Sequence, residues 1–111
     1  MDTLIQERIC PLDELTPYQG CSAMVDGEQV ALFYIPSAGV FAVQNWDPIG
    51  QAFVISRGIV GDVKGQLCVA SPLYKQHFCL KSGQCIENDE VKLRVYPVNV
   101  EDGHVILTLA E

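Results

Sequence analysis

The sequence holds no C-x-x-C pair, no glycine-rich phosphate loop, no H-E-x-x-H and no G-x-S-x-G. The residues alone therefore point to no nucleotide site, zinc hydrolase or serine hydrolase. Basic residues are scarce: seven Lys and Arg face fourteen Asp and Glu, for a formal charge of -7. That balance repels phosphate backbones and anionic lipid, so no nucleic acid and no membrane are expected as partners, while a basic protein surface is compatible. The longest apolar run, VALFYI at 30–35, is far shorter than the roughly 18 to 20 residues that span a bilayer. The first ten residues, MDTLIQERIC, lack the apolar stretch of a secretory signal. The five cysteines at 10, 21, 68, 79 and 85 are odd in number, which with no export signal favours reduced thiols and a cytoplasmic setting.

What is present reads as β structure. At 111 residues with 49% hydrophobic content, the chain suits a single domain over 1–111. Helical periodicity is lacking, whereas short β-branched and aromatic runs recur between turn residues. CSAMV and QVALFYI flank Asp26-Gly27, and VFAVQN follows the turn at Pro36 to Gly39. QLCVAS follows Lys64-Gly65, HFCL precedes Lys81-Ser82-Gly83, VKLRVYPVNV reads as one strand, and HVILTL follows Asp102-Gly103. About eight strands are expected by these signals. PLDEL can form one short helical turn before Pro17 stops it. In the last strand Val105, Leu107 and Leu109 are placed toward the core, and Val91, Leu93 and Val95 alternate with Lys92 and Arg94 in the same way.

Cys68, His77, Cys79 and Cys85 could together supply four soft or borderline metal ligands. Their spacing argues against a structural zinc site, which normally takes two ligands from one knuckle a few residues long. Small buried hydrophobes are the plainer reading of these cysteines. His77 and Cys79 are the one nearby base and thiol, but side chains two apart on a strand rarely serve as nucleophile and base. His104, beside the last turn, reads as a surface residue. Two loops are unusual: QNWDPIG carries the only tryptophan, and ASPLYKQ sets a proline and a tyrosine between strands. Each aromatic is either a lid over the core or an anchor for a partner.

The order of VFAVQN, FCLKSGQC and LRVYPVNVEDGHVILTL resembles the Rieske-type ferredoxin domain over nearly the whole chain. The fold so implied is all-β, an antiparallel sandwich or barrel with a small insert carrying two loops. In that family the two loops hold a 2Fe–2S cluster through two cysteines and two histidines. Aligned on Asn45 and Pro48, the first loop has Asp47 and Ile49 at the ligand positions. Aligned on Phe78 and Gly83, the second has Ser71 and Tyr74. Pro48 and Pro72 are kept, which fits a retained backbone path without its metal chemistry.

With NWDP, SRG at 56–58 and ASPL, this ligand-poor pattern resembles the small subunit of cytoplasmic NAD(P)H-dependent nitrite reductase. The resemblance implies an accessory subunit of nitrate and nitrite assimilation or detoxification, with no cofactor and no metal of its own and no catalytic residue. The large subunit would be its partner and would carry FAD, sirohaem and an iron–sulfur cluster for reducing nitrite to ammonium. Trp46, Asp47, Pro48, Pro72, Leu73 and Tyr74 are the expected docking residues. Trp46, Ile49 and Tyr74 are further expected to fill the space a cluster would take. Two alternatives remain: a ferredoxin whose cluster sits on Cys68, His77, Cys79 and Cys85, and a module serving an oxygenase or another reductase.

Overall fold

A computed structural model describes residues 4–110. Twelve short strands and two 3-10 turns make up these residues, and no helix among them is long and apolar enough to cross a membrane. β1 (Leu4–Pro11) pairs antiparallel with β12 (His104–Ala110), and β12 also pairs with β11 (Val98–Glu101). A second sheet has the order β10 (Val95–Tyr96), β4 (Gly39–Gln44), β3 (Glu28–Ile35), β2 (Cys21–Val25). A third is built from β7 (Ile59–Val63), β8 (Gln66–Ala70) and β9 (His77–Cys79), all antiparallel. β5 (Trp46–Asp47) and β6 (Ala52–Phe53) form a two-residue ribbon of their own.

Three of the expected turns are two-residue hairpins, with Asp26-Gly27, Lys64-Gly65 and Asp102-Gly103 at paired positive φ. This conformation matches the twist of the flanking strands, which is why the two Asp-Gly pairs, and the glycine of Lys64-Gly65, mark the strand ends. PLDEL does form a single turn, a 3-10 segment at Leu12–Glu14. VKLRVYPVNV is not one strand. Pro97 has no N–H to give a ladder, and there the chain leaves the second sheet, where β10 pairs β4, for the first, where β11 pairs β12. The seven runs named from the sequence become twelve strands through this break, β1, β7 and the two strands of the β5–β6 ribbon, which are too short to show a period.

The second sheet lies in the middle of the molecule, and β3 is covered on both faces. Ala31 and Phe33 point into one core with Val43, Ile55, Val69, Phe78 and Leu93. Val30 and Leu32 point into another with Ala42, Tyr96, Leu107 and Leu109. This two-sided burial is why β3 reads as a continuous apolar run rather than an alternation. The last strand behaves as its pattern predicts, with Val105, Leu107 and Leu109 buried, although Ile106 is buried as well. Truncating Phe33 or Phe78, both fully buried, would cost about 3–5 kcal/mol each.

Gly83 closes the β9 hairpin at φ +80 and is itself hydrogen-bonded through Cys79 and Leu93. A Cβ there would overlap the Leu93 carbonyl oxygen. Gly103 has a similar φ, but nothing lies near its missing side chain. Gly83→Ala is expected to destabilise the fold by about 2–4 kcal/mol, and Gly103→Ala by only about 1 kcal/mol. Thermal melts of the two variants, compared side by side, check this.

Candidate functional site

The two unusual loops meet at one end of the molecule, and the first is held from beneath by Asn45. This buried amide donates from Nδ2 to Gln29 Oε1 at 3.0 Å and accepts the Ser56 N–H on Oδ1 at 2.8 Å. Its backbone adds two more bonds, to the Gln29 carbonyl and from the Ile55 N–H. Gln44 completes the base, donating to the Trp46 carbonyl at 2.9 Å and accepting the Arg94 N–H at 2.8 Å. The start of the loop is thereby tied to β3, to the 3-10 turn at Ile55–Arg57 and to the segment leading into β10.

Asp47 then organises the tip. Its side chain is buried, and Oδ1 accepts the N–H groups of Ile49 at 2.9 Å and Gly50 at 3.0 Å, closing the loop on itself. Its other oxygen, Oδ2, accepts a hydrogen bond from the buried hydroxyl of Ser71 in the second loop. Ser71 is placed for this by its own backbone: its N–H reaches the Gln76 carbonyl and its carbonyl accepts the Lys75 N–H. Gly50 lets the loops approach, since a Cβ there would lie 2.5 Å from Leu73 Cδ1 and 3.0 Å from Asp47 Oδ2. One carboxyl group thus ties together two loops 24 residues apart in sequence.

Around this clasp the surface is apolar. Trp46 packs edge to face on Phe53 with ring centroids 4.9 Å apart, across the β5–β6 ribbon. Trp46, Phe53, Leu73 and Tyr74 are all exposed, Tyr74 by 66%. Beside Trp46 and Phe53 runs a cavity of about 380 Å³ whose other wall is Arg94, Glu28 and Tyr96. These three are linked: Arg94 Nη1 lies 3.1 Å from Glu28 Oε1, Tyr96 donates to the same oxygen at 3.1 Å, and the guanidinium sits over the Tyr96 ring. A second cavity, of about 400 Å³, lies behind the second loop between Arg57, Ile59, Pro72, Lys75 and His77.

The structure brings Trp46, Asp47, Pro48, Pro72, Leu73 and Tyr74 into one region, with two corrections. Asp47 faces inward and has its oxygens occupied, so it shapes the tip and offers no contact to a partner. Tyr74 fills no internal space, because its ring stands in solvent; Ile49 alone of the three expected fillers joins the packing around the first core. Phe53 was not singled out from the sequence. Its only signal there is an aromatic shortly past the turn at residues 48–51 that closes the tryptophan loop.

Cys68, His77, Cys79 and Cys85 do not form a ligand set. Among the described residues no three His, Cys, Asp or Glu side chains are grouped to hold a metal ion. Cys85 belongs to the first core, and His77 is engaged by Glu87, which accepts the His77 N–H at 2.7 Å and meets Nδ1 at 2.6 Å. His104 is half-buried, with Nδ1 3.1 Å from the Asp102 carbonyl.

Three sheets in this order, with two loops meeting at one end, are the architecture of a Rieske-type domain. The Rieske-like 2Fe-2S domain family model matches residues 6–108. The nitrite reductase (NADH) small subunit of Salmonella typhimurium is 43% identical over 102 residues, which cover 91% of this chain and 94% of that one. The NMR structure of the Escherichia coli protein NirD superposes with a TM-score of 0.89 at 39% identity, over 96% of this chain and 98% of that one. The chain belongs to the nitrite reductase small-subunit family, within the Rieske-like domains. The Klebsiella oxytoca nitrite reductase NAD(P)H large subunit also matches, 39% identical over 99 residues, or 89% of this chain and 10% of that polypeptide.

The Rieske-like family implies a 2Fe–2S cluster, and the side chains at the two loops do not fit one. Asp47, Ile49, Ser71 and Tyr74 offer a carboxyl, a hydroxyl and a phenol, but no thiolate and no imidazole. The carboxyl and hydroxyl are moreover satisfied by each other.

Asp47→Ala is expected to cost about 2–4 kcal/mol, because it strands the Ser71 hydroxyl and two loop N–H groups. Denaturant unfolding measures the loss, and amide exchange at Ile49, Gly50 and Leu73 should quicken more than in β3. A second expectation concerns acid. Partial burial works to raise the Glu87 carboxyl, but the hydrogen bonds from the His77 backbone and ring outweigh it and hold the group below its ordinary 4.5. The stability so gained is present above the ordinary value and lost as pH falls through the lowered one. Glu87→Gln should therefore flatten the acid side of a plot of urea midpoint against pH.

Proposed function

We propose that this chain is the accessory small subunit of an NAD(P)H-dependent nitrite reductase, and that it acts by docking its two-loop tip on the catalytic large subunit. The observation that carries this reading is the Klebsiella oxytoca large subunit, in which a region matching nearly all of this chain is part of the same polypeptide. A domain tethered to the catalytic chain in one organism and separate in another fits a module that works at that chain's surface. The exposed Trp46, Phe53, Leu73 and Tyr74, clustered on a tip braced from within, supply the aromatic and aliphatic anchors of such a contact.

On this reading the chain carries no cluster, because Asp47 and Ser71 occupy each other where ligands would be needed. FAD, sirohaem and an iron–sulfur cluster belong to the large subunit, which reduces nitrite to ammonium in the cytoplasm during nitrate assimilation or detoxification. The small subunit contributes surface and orientation, not a reacting group. The acidic surface outside the tip speeds encounter with a basic partner more than it adds affinity.

Co-expression with the large subunit, followed by affinity measurement with single Ala variants at Trp46 and Tyr74, tests the docking. Each truncation is expected to weaken binding by about 2 kcal/mol, roughly 30-fold. Unchanged binding by folded variants removes the tip from the interface. Iron content and the visible spectrum after anaerobic reconstitution test the second half, with a colourless, iron-free protein expected.

A further inference from the structure

We propose that Cys68 and Cys79 form an oxidisable dithiol, able to close a reversible disulfide across β8 and β9. This inference stands apart from the function proposed above. The two residues are direct partners in the antiparallel ladder. Leu80 donates to the Leu67 carbonyl and Ser71 to the Gln76 carbonyl, each at 2.9 Å. Hydrogen-bonded pairs alternate along such a ladder, so Leu67–Leu80 and Ser71–Gln76 are hydrogen-bonded pairs and Cys68–Cys79 is a non-hydrogen-bonded one. Opposed residues of this kind point to the same face with Cα atoms about 4.5 Å apart. Disulfides span Cα separations of about 4.4–6.8 Å, so the pair lies within reach, at the short end.

The surroundings divide the labour between the two thiols. Leu67, Val69 and Phe78 turn to the first core, leaving Cys68 and Cys79 together on the opposite face of the sheet. Cys79 lines a cavity of about 400 Å³ with Gly65, Gln66, Lys81 and Ser82, through which a small oxidant can reach it. Burial works to raise its pKa, but hydrogen bonds from Ser82 and the Lys81 backbone, with the Lys81 charge, outweigh it and lower the thiol below its ordinary value. Cys68 is buried, and burial together with the neighbouring Cys79 pushes it up to about 11. Cys79 is the attacking sulfur and Cys68 the resolving one.

With hydrogen peroxide as oxidant the step balances. The Cys79 sulfur attacks one peroxide oxygen, an S–O bond forms, the O–O bond breaks, and the departing oxygen leaves as water with the thiol proton. The Cys68 sulfur then attacks the sulfenic sulfur, and the second oxygen leaves as water with the Cys68 proton. Two thiols lose two electrons and hydrogen peroxide gains them. The new bond closes a loop of about a dozen residues that contains Ser71 and the exposed Leu73 and Tyr74.

The test treats the full-length reduced protein with hydrogen peroxide and maps tryptic peptides without reductant. Cleavage after Lys64, Lys75 and Lys81 separates Cys68, Cys79 and Cys85 into different peptides. The expected product is a linked pair of peptides 65–75 and 76–81 in monomeric protein, lost on reduction. Cys68→Ser should instead leave Cys79 as a sulfenic acid that dimedone traps. The proposal is overturned if both thiols of treated wild-type protein remain free to alkylation after unfolding, or if the linkage joins Cys10, Cys21 or Cys85 in their place.

Discussion

The tip of this domain depends on one carboxyl group. Asp47 closes its own loop through two backbone N–H groups and reaches across to the Ser71 hydroxyl of the other. In a cluster-bearing Rieske domain, metal–ligand bonds perform that bridging. A hydrogen bond is weaker by a wide margin, contributing about 1 kcal/mol net, whereas a structural metal can contribute on the order of 10 kcal/mol or more. Beneath the loops lies the central sheet, buried on both faces, which fixes the ends from which they spring.

That central sheet also explains why the clasp forms where it does. β4 runs directly into the first loop, and the residue at the junction, Asn45, is buried with its Nδ2, Oδ1, backbone N–H and carbonyl each bonded to β3 or to the Ile55–Arg57 turn. A buried polar group bonded through each of its polar atoms tolerates few alternative arrangements. Asp47 is consequently delivered to Ser71 by rigid elements on both sides, since Ser71 follows β8, whose Val69 is anchored in the same core as Phe33.

Much of this was legible in the residues. Asp-Gly pairs announce hairpins because Asp and Gly tolerate the required φ, Gly65 does the same at the second position of its turn, and the alternation in 105–109 announces a face. Pro48 and Pro72 mark the loop path. What the sequence concealed was relational. Asp47 reads as an acidic tip residue until its hydrogen-bond partners are seen, since nothing local distinguishes an inward carboxyl from an outward one. Tyr74 reads equally as a filler and as a surface anchor until its exposure is seen, and Phe53 gains meaning only through its contact with Trp46. The break at Pro97 was visible as a proline, but the change of sheet it accompanies is a property of the tertiary pairing.

The internal bracing of the tip has a consequence for association. Loops that are mobile before binding must be frozen by it, and each immobilised side chain or segment subtracts from the affinity that buried area would otherwise give. Here the backbone beneath Trp46 and Leu73 is already held by Asn45, Asp47 and Ser71. A partner seating on this surface loses little entropy to ordering it, so a small contact can bind with an affinity usually reserved for a larger one.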